Sequence, residues 1–489
     1  MSSAAVKVAK FIGIDVATSK TGIGVRGVDG QEQYADHTTE GATTWHGQPA
    51  FDLGRVAGTI ASVLRRLEKD GWDFRSSPGA LSLSVRQHDM VVLDAQERPL
   101  MPALSWQCHV ASDEVATLRK QGAEAVVGRV EERFILPKLM WTLRQDGELK
   151  NKIARVLTTG DWIAQQLTGQ SRLSASDALS NGLLVQTTKQ LASEVIDTGG
   201  LQSNWFPQVI PSAHVVGTVT HRGGATVDWA ELQSLLAGWS VVAGLGDNHA
   251  TGVGCGGLVD LQTIVVSAGT SGTINRRCRP TAKLAGQAAC FEFYDDRMLL
   301  MMLADCCKWY DRFKKRFAAN TSYAALNELA AGVPTTKIAR VAHRNGEENY
   351  PSHWNDLTEA ERAASTHFSI MLELLMLVKK MLAEVTDATE PVRRFVLTGG
   401  LSQSPFFQQV FHSGVRVLVP GCDVLVSARN DKLSNQTAAY GAVINAMLPE
   451  RGHNLKAIVE ELCPLKPCAQ ASGDVFAQLQ SLLQTHQLV

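Results

Sequence analysis

One short pattern occurs twice in the chain, and it constrains the fold more than any other feature of the sequence. Residues 12–19 and 264–271 each combine an apolar run with small residues and Thr-Ser, and a second apolar run follows each of them. Two short strands around a small polar turn predict a β-hairpin. Hairpins are common and Thr and Ser suit turns, so chance and the duplication of a functional unit both remain open on the echo alone.

The length of the chain predicts more than one domain. One hydrophobic core rarely serves 489 residues, so we expect two or three domains. We place a boundary between residues 240 and 241, which assigns one hairpin to 1–240 and the other, together with Asp247, to 241–489. We expect the last ~20 residues to pack back onto the first domain.

Composition excludes several classes of partner. A formal net charge of −1 gives no basis for binding nucleic acid or a membrane surface. The apolar run near the start, residues 11–16, is interrupted by Asp15 and is too short to span a bilayer. Nine cysteines, without a second Cys/His pair near Cys463 and Cys468, predict reduced thiols in a cytoplasmic protein and no zinc site.

The two hairpin turns carry residues that suit phosphate binding. Thr18, Ser19 and Lys20 lie in one turn, and residues 269–271 (Gly269, Thr270 and Ser271) lie in the other. Small residues let backbone N–H groups approach an anion, and hydroxyl and ammonium groups add donors. One such turn on each of two domains would clamp a polyphosphate, although each turn taken singly is also explained as a plain hairpin.

A glycine pair follows a later strand-like run. Gly399 and Gly400 come after the apolar residues 394–397, and Gln403 and Ser404 stand just before Pro405, where a helix is predicted to begin. Glycines permit the close approach of a flat base or ribose. A simple strand-to-helix turn explains them equally well.

An acidic residue follows another apolar run. Asp247 and Asn248 come directly after residues 240–246 and head a helix rich in small residues. A helix N-terminus supports negative charge, which suits a site for phosphate chemistry. An ordinary helix N-cap is the alternative for an isolated acid in this position.

Taken in order, these elements resemble the FGGY family of carbohydrate kinases, and the xylulokinases within it most closely. The resemblance runs along nearly the whole chain. The matching segments are residues 13–15 with 18–20, the sugar segment 84–88, Trp106, the middle segments 168–169 and 176–178, the stretch 207–219, and residues 246–248, 269–272 and 398–400 with Ser404.

The resemblance implies an α/β fold of two actin-like ATPase (ribonuclease-H-like) domains with an interdomain cleft, and it favours a functional duplication of the hairpin. It also implies ATP-dependent phosphorylation of a ketose hydroxyl, D-xylulose first, with Mg²⁺. Asp247 matches the catalytic base, and Asp15 and Asp247 match the metal-binding acids. The nucleotide-binding positions would be Thr18, Ser19, Lys20, Gly269, Thr270, Ser271, Gly399, Gly400, Gln403 and Ser404. The sugar-binding positions would be Gln87, His88, Trp106, Asp247 and Asn248.

Four residues depart from the family pattern around the sugar. Arg86 and Asp89 stand where the family commonly has Gln and Gly, and Cys108 and Val110 stand where it often has Asp and Arg. A polar sugar contact and a charge pair are therefore absent, unless an Arg86–Asp89 pair replaces them. Another pentulose, a heptulose or a sugar acid such as gluconate is the alternative substrate.

Two hypotheses of other classes stay open: a sugar or nucleotide sensor without turnover, and an actin-like ATPase whose partner is a protein. The acids and turn hydroxyls argue against the sensor, and the sugar segment argues against the ATPase. A homodimer is compatible with the sequence, which carries no interface signal.

Overall fold

The computed structural model describes residues 6–344, 347–387, 389–429, 431–433, 435–471 and 473–486. Its strands are β1 Lys7–Val16, β2 Lys20–Gly27, β3 Glu32–Thr38, β4 Ala42–Trp45, β5 Gln48–Phe51, β6 Trp72–Asp73, β7 Ala80–Val85, β8 Val91–Leu93, β9 Ala103–Leu104, β10 Arg155–Leu157, β11 Leu173–Ser174, β12 Val209–Ile210, β13 Val215–Thr218, β14 Ser240–Gly246, β15 Thr263–Ala268, β16 Gly272–Cys278, β17 Ala289–Phe293, β18 Asp296–Leu303, β19 Ala342–Arg344, β20 Glu347–Asn349, β21 Arg394–Thr398, β22 Asp423–Ser427 and β23 Leu465–Pro467.

The helices alternate with these strands along much of the chain. They are α1 Val56–Lys69, α2 Ser112–Lys120, α3 Ala123–Val127, α4 Ile135–Gln145, α5 Thr159–Thr168, α6 Ala175–Ser180, α7 Ser193–Thr198, α8 Val227–Leu235, α9 Asp247–Gly254, α10 Cys307–Phe317, α11 Tyr323–Ala331, α12 Glu359–Glu384, α13 Pro405–Leu418, α14 Thr437–Met447, α15 Leu455–Leu462 and α16 Gly473–Thr485. Across the described residues, we find no helix with both the length and the apolar character needed to cross a bilayer.

The first compact unit is built on a sheet with the strand order β13-β14-β7-β1-β2-β3. β1 pairs with β2 in an antiparallel hairpin and with β7 in parallel, and β7 pairs with β14 in parallel. Most residues of β1 and β7 are apolar, because residues on both faces of these central strands are buried. Gly13 on β1 lets α14 approach the strand closely. An added Cβ at this position would lie only 2.2 Å from the Ala439 carbonyl oxygen on that helix. The helix therefore packs directly on the strand that carries Asp15.

The second compact unit repeats this local plan. Its sheet includes β18-β16-β15-β21-β22-β23 in this order. β15 pairs with β16 in an antiparallel hairpin and with β21 in parallel, as β1 does with β2 and β7. Both hairpins predicted from the sequence echo are confirmed. In each sheet, the first strand of the hairpin also pairs with a parallel strand, β7 in one and β21 in the other.

The compact units divide the chain differently from the predicted boundary at residue 240. The first unit comprises Met1–Gly254, Cys290–Arg297 and Asp431–Val459, and the second comprises Cys255–Ala289, Met298–Asn430 and Glu460–Val489. β14 belongs to the first unit because it pairs with β7, and Asp247 lies there as well. The final helix, α16, belongs to the second unit and packs against α13, whereas the sequence analysis placed these residues on the first domain.

Candidate active site

Asp247 lies where a buried strand of the first unit turns into a helix. β14 ends at Gly246, and Asp247 is the first residue of α9. The backbone N–H of Asn248 donates to Asp247 Oδ1 at 2.8 Å, and its side-chain Nδ2 donates to the same oxygen at 3.2 Å. Loss of hydration raises the pKa of Asp247 to about 7, and repulsion from Asp15 adds to this rise. The two carboxyl groups are therefore electrostatic neighbours.

Asp15 lies near the end of β1, in register with Ser84 on the parallel strand β7. The Ser84 hydroxyl donates to Asp15 Oδ1 at 2.8 Å. Burial raises the pKa of Asp15 to about 6, and this rise is partly offset by the Ser84 hydrogen bond and by the charges of Lys20 and Arg86. Two partly buried acids that repel one another favour the binding of a proton or a cation.

The turn of the first hairpin exposes its hydroxyl groups. A hydrogen bond from Ala17 N to Lys20 O closes the turn at 3.1 Å, and Thr18 and Ser19 lie exposed between them. Lys20 Nζ donates to Gln436 Oε1 at 2.5 Å and lies 3.7 Å from Asp36 Oδ2. The two hydroxyl groups are open to a ligand, whereas Lys20 already contacts polar groups of its own unit.

Gln87 and His88 follow β7 and are almost completely buried. Within the described part of the chain, Gln87 Nε2 has no hydrogen-bond partner, and its amide packs against Gly246, where a Cβ would lie 2.4 Å from Gln87 Cδ. A buried donor next to the residue that precedes Asp247 is available to a substrate oxygen.

The His88 ring is fixed in orientation and neutral. Its Nδ1 lies 3.2 Å from Asn181 Oδ1, and the ring stacks on Phe134 with 5.1 Å between centroids. Asn181 Nδ2 donates to the Asp177 carbonyl at 2.8 Å, so Oδ1 must accept and His88 Nδ1 must carry the proton. Burial, together with the charges of Arg133 and Lys138, holds the pKa of His88 well below its usual value. Nε2 is therefore an acceptor for a hydroxyl group.

Trp106 connects the sugar segment with the first turn. Its indole Nε1 donates to Thr18 Oγ1 at 3.3 Å, and its backbone N–H donates to Asp89 Oδ1 at 2.9 Å. Cys108 is fully buried and Val110 packs on the hydrophobic core, so neither replaces the polar groups of the family pattern. Arg86 and Asp89, by contrast, do form an ion pair, with 2.7 Å between Nε and Oδ2.

The start of α10 donates hydrogen bonds to the second hairpin turn. Cys307 N donates to the Gly269 carbonyl at 2.9 Å, and Cys306 N donates to the Thr270 carbonyl at 3.2 Å. The Ser271 hydroxyl donates to the Ala304 carbonyl at 3.1 Å. Two of these hydrogen bonds use carbonyl groups of the turn, and Thr270 lies exposed in it.

The glycine pair lies beside that turn. β15 and β21 are parallel, with Ser267 opposite Thr398, so the segments that follow them leave the same edge of the sheet. Gly399 has φ +93°, and an added Cβ would lie 2.5 Å from the backbone of Ala268, so only glycine fits. Gln403 is exposed, whereas the Ser404 hydroxyl accepts from Phe407 N at 3.3 Å and caps α13.

Lys138 contacts the segments that carry predicted site residues, and the sequence alone did not single it out. It is fully buried on α4, and its ammonium group donates to the His88, Leu104 and Ser105 carbonyl groups. The only sequence signal was a lysine within the otherwise apolar face of a helical segment.

The amino-acid sequence is similar to those of known carbohydrate kinases. Residues 11–254, about half of the chain, match the model of the N-terminal domain of the FGGY family of carbohydrate kinases. The chain belongs to the FGGY family. It is 29% identical to the xylulose kinase of Lactococcus lactis over 223 residues, and 28% identical to that of Streptomyces rubiginosus over 373 residues. These matches cover 44% and 71% of the chain, and they span 42% and 72% of the two relatives' own lengths.

The fold comparison extends over the whole chain. The crystal structure of a ligand-bound xylulose kinase from Lactobacillus acidophilus superposes with a TM-score of 0.81 and 15% identity, covering 98% of this chain and 97% of that one. The predicted α/β class with two actin-like ATPase domains is thereby confirmed. At this identity, the likeness bears on the fold alone.

Proposed function

We propose that the protein is an ATP-dependent carbohydrate kinase that phosphorylates a ketose hydroxyl, converting D-xylulose to D-xylulose 5-phosphate. The observation that carries the proposal is the setting of Asp247. Its carboxyl group is close enough to a second acid, Asp15, to be repelled by it, and it follows Gly246, against which the buried, unpartnered donor of Gln87 packs. Family membership and the likeness to xylulose kinases support the same chemistry.

Asp247 would act as the general base. As the sugar oxygen attacks the γ-phosphorus of ATP, the hydroxyl proton passes to the Asp247 carboxylate, the bond to the β–γ bridging oxygen breaks, and ADP leaves. Proton acceptance of this kind contributes typically ~10²–10⁴-fold to the rate. The Asn248 N–H and side-chain amide, which both donate to Oδ1, would hold the carboxylate in one orientation.

The turns at residues 18–20 and 269–271 would position the phosphates. Both expose hydroxyl or backbone N–H groups, and positioning with charge stabilisation supplies most of the catalysis in phosphoryl transfer. Asp15 and Asp247 would hold Mg²⁺, because hard oxygen ligands suit this ion. The bound cation would also offset the repulsion of Asp247 by Asp15. When bound, Mg²⁺ would neutralise charge on the phosphate oxygens.

The remaining predicted residues would bind the organic parts of the substrates. His88 Nε2 would accept from a sugar hydroxyl, the Gln87 amide would donate to one, and Trp106 would contact the C–H face of the sugar. The turn at residues 399–404 would receive the adenosine, because Gly399 and Gly400 leave room for a flat group to approach the backbone.

The test is ADP release from ATP and Mg²⁺ with a panel of pentuloses, hexuloses, heptuloses and sugar acids. We expect sugar-dependent turnover with D-xylulose and a loss of two or more orders of magnitude in Asp247→Asn, with ATP binding retained. Asp29→Asn, at an exposed turn, is the matched control and should keep full activity. Full activity in Asp247→Asn would refute the base assignment, and binding without turnover would favour a sensor.

A further inference from the structure

Three charged side chains, one within the sugar segment and two in contact with it, are buried together. Arg86 is 4% exposed, and Asp89 and Lys138 are fully buried. Arg86 and Asp89 form the 2.7 Å ion pair, and the negative charge of Asp89 favours the charged form of Lys138. Burying charge is costly unless the groups are paired and hydrogen-bonded, so this charge triad needs a structural reason.

Asp89 and Lys138 fasten the two segments that carry the predicted sugar contacts. Asp89 accepts the backbone N–H of Trp106 through its second oxygen at 2.9 Å. Lys138 Nζ donates to the carbonyl of His88, which precedes Asp89, and to those of Leu104 and Ser105, both at 3.3 Å. The backbones at His88 and Trp106 are thereby joined through buried charged groups.

Arg86 links the same assembly to the first hairpin turn. One guanidinium nitrogen donates to the Ala17 carbonyl at 3.1 Å, while Nε binds Asp89. The guanidinium also lies over the Phe51 ring, 3.6 Å from its centroid, which fixes the plane of the group. Ala17 lies between Asp15 and Thr18, so Arg86 spans the distance from the sugar segment to the predicted phosphate turn.

We infer that Arg86, Asp89 and Lys138 form a positioning brace that holds His88 and Trp106 in a fixed place relative to the turn at residues 17–20. The role in sugar binding rests on the proposed function, whereas the brace itself rests only on the contacts. Arg86 and Asp89 are this chain's own departures from the family pattern. A planar guanidinium with two separate acceptors and an aromatic face is suited to such a link, and a lysine at that position would reach fewer of these partners.

The decisive variants are Arg86→Met, which removes the charge, and Arg86→Lys, which keeps it. The matched control is Arg98→Met, because Arg98 pairs with Asp94 at 2.8 Å in the same region but is 73% exposed. Amide hydrogen exchange of a peptide that contains Trp106 reports the brace without any substrate. Steady-state kinetics report KM for the sugar, KM for ATP and kcat.

In Arg86→Met we expect faster exchange at the Trp106 amide and a higher sugar KM, with kcat/KM for the sugar lower by about 100-fold, the loss typical of a misplacement near 1 Å. The ATP KM should change much less. Arg86→Lys, which keeps the charge but reaches fewer partners, should recover only part of the sugar KM, and Arg98→Met should match the wild type.

An Arg86→Met protein whose sugar KM and Trp106 exchange equal those of Arg98→Met would overturn the brace, even if it were less stable. If Arg86→Met does not fold, Asp89→Asn, which keeps the size of the side chain but removes its charge, replaces it in the same measurements. If the wild type turns over no sugar, the proposed function fails, and the exchange data alone then decide on the brace.

Discussion

The helix that carries Asp247 is held by a contact that leaves no room for a methyl group. An added Cβ on Gly441 of α14 would lie 1.9 Å from the Ala250 carbonyl oxygen on α9. The contact is equally close from the other helix: an added Cβ on Gly254 of α9 would lie 2.0 Å from the Thr437 carbonyl oxygen on α14. Both close contacts are with backbone atoms, which have no rotamer to change. Gly441→Ala must therefore push the two helices apart.

The size of the displacement follows from these distances. Ordinary van der Waals contact begins at 3.4 Å, so the Gly441→Ala methyl group is about 1.5 Å too close to Ala250. Overpacking of this kind costs about 1–3 kcal/mol of the unfolding free energy. α9 has only eight residues and begins at Asp247, so a shift of the helix moves the carboxylate. A misplacement near 1 Å costs about 100-fold in rate.

The assay compares Gly441→Ala with Gly147→Ala, whose Cβ would meet nothing within 4 Å. We expect Gly441→Ala to lose about 1–3 kcal/mol in urea unfolding and about 100-fold in kcat, with ATP still bound. Gly147→Ala should match or slightly exceed the stability of the wild type and keep its rate, because it restricts only the unfolded chain. Wild-type stability and kcat in Gly441→Ala would refute the reasoning.

Two further predictions concern buried acids. Burial raises the pKa of Glu292 from 4.5 to about 7, although Lys189 and Ser212 oppose the rise. The folded protein therefore binds this proton more tightly than the unfolded chain. In urea unfolding, the wild type should lose about 3 kcal/mol of unfolding free energy relative to Glu292→Gln as the pH rises from 4.5 to 7. A difference in unfolding free energy that stays constant over this pH range would contradict the prediction. Ser84→Ala removes the hydrogen bond to Asp15, which is worth about 1.5–3 kcal/mol for a charged acceptor. This variant should lower kcat/KM by at least about 10-fold while sugar binding persists. An unchanged kcat/KM would show that Asp15 does not need this hydrogen bond.

Local features of the fold were predictable from the sequence, and long-range ones were not. The hairpins and the helix start at Pro405 follow from patterns within a few residues, and the structure confirms them. The compact units depend on which strands pair, and the pairing of β14 with β7 joins residues far apart in the chain.

The same distinction holds for the site. The place of Asp247 between a strand and a helix could be predicted from neighbouring residues, and its catalytic role stays a prediction. The acceptors of Lys138 lie 33 to 50 residues away, so no local pattern could assign it a partner. A homodimer and a cytoplasmic location stay predictions.

The two hairpins share one pairing plan but carry different residues at equivalent positions. In register, Asp15 lies opposite Ser84 in the first unit, and Ser267 lies opposite Thr398 in the second. In each unit the parallel neighbour then leads into predicted binding residues, the first of which is Gln87 in one unit and Gly399 in the other. Only the first copy has an acid at the end of its hairpin strand. A second carboxylate at the equivalent position would add repulsion to a polyphosphate, so a serine there suits the predicted role of this turn, which is to bind phosphate through N–H and hydroxyl groups.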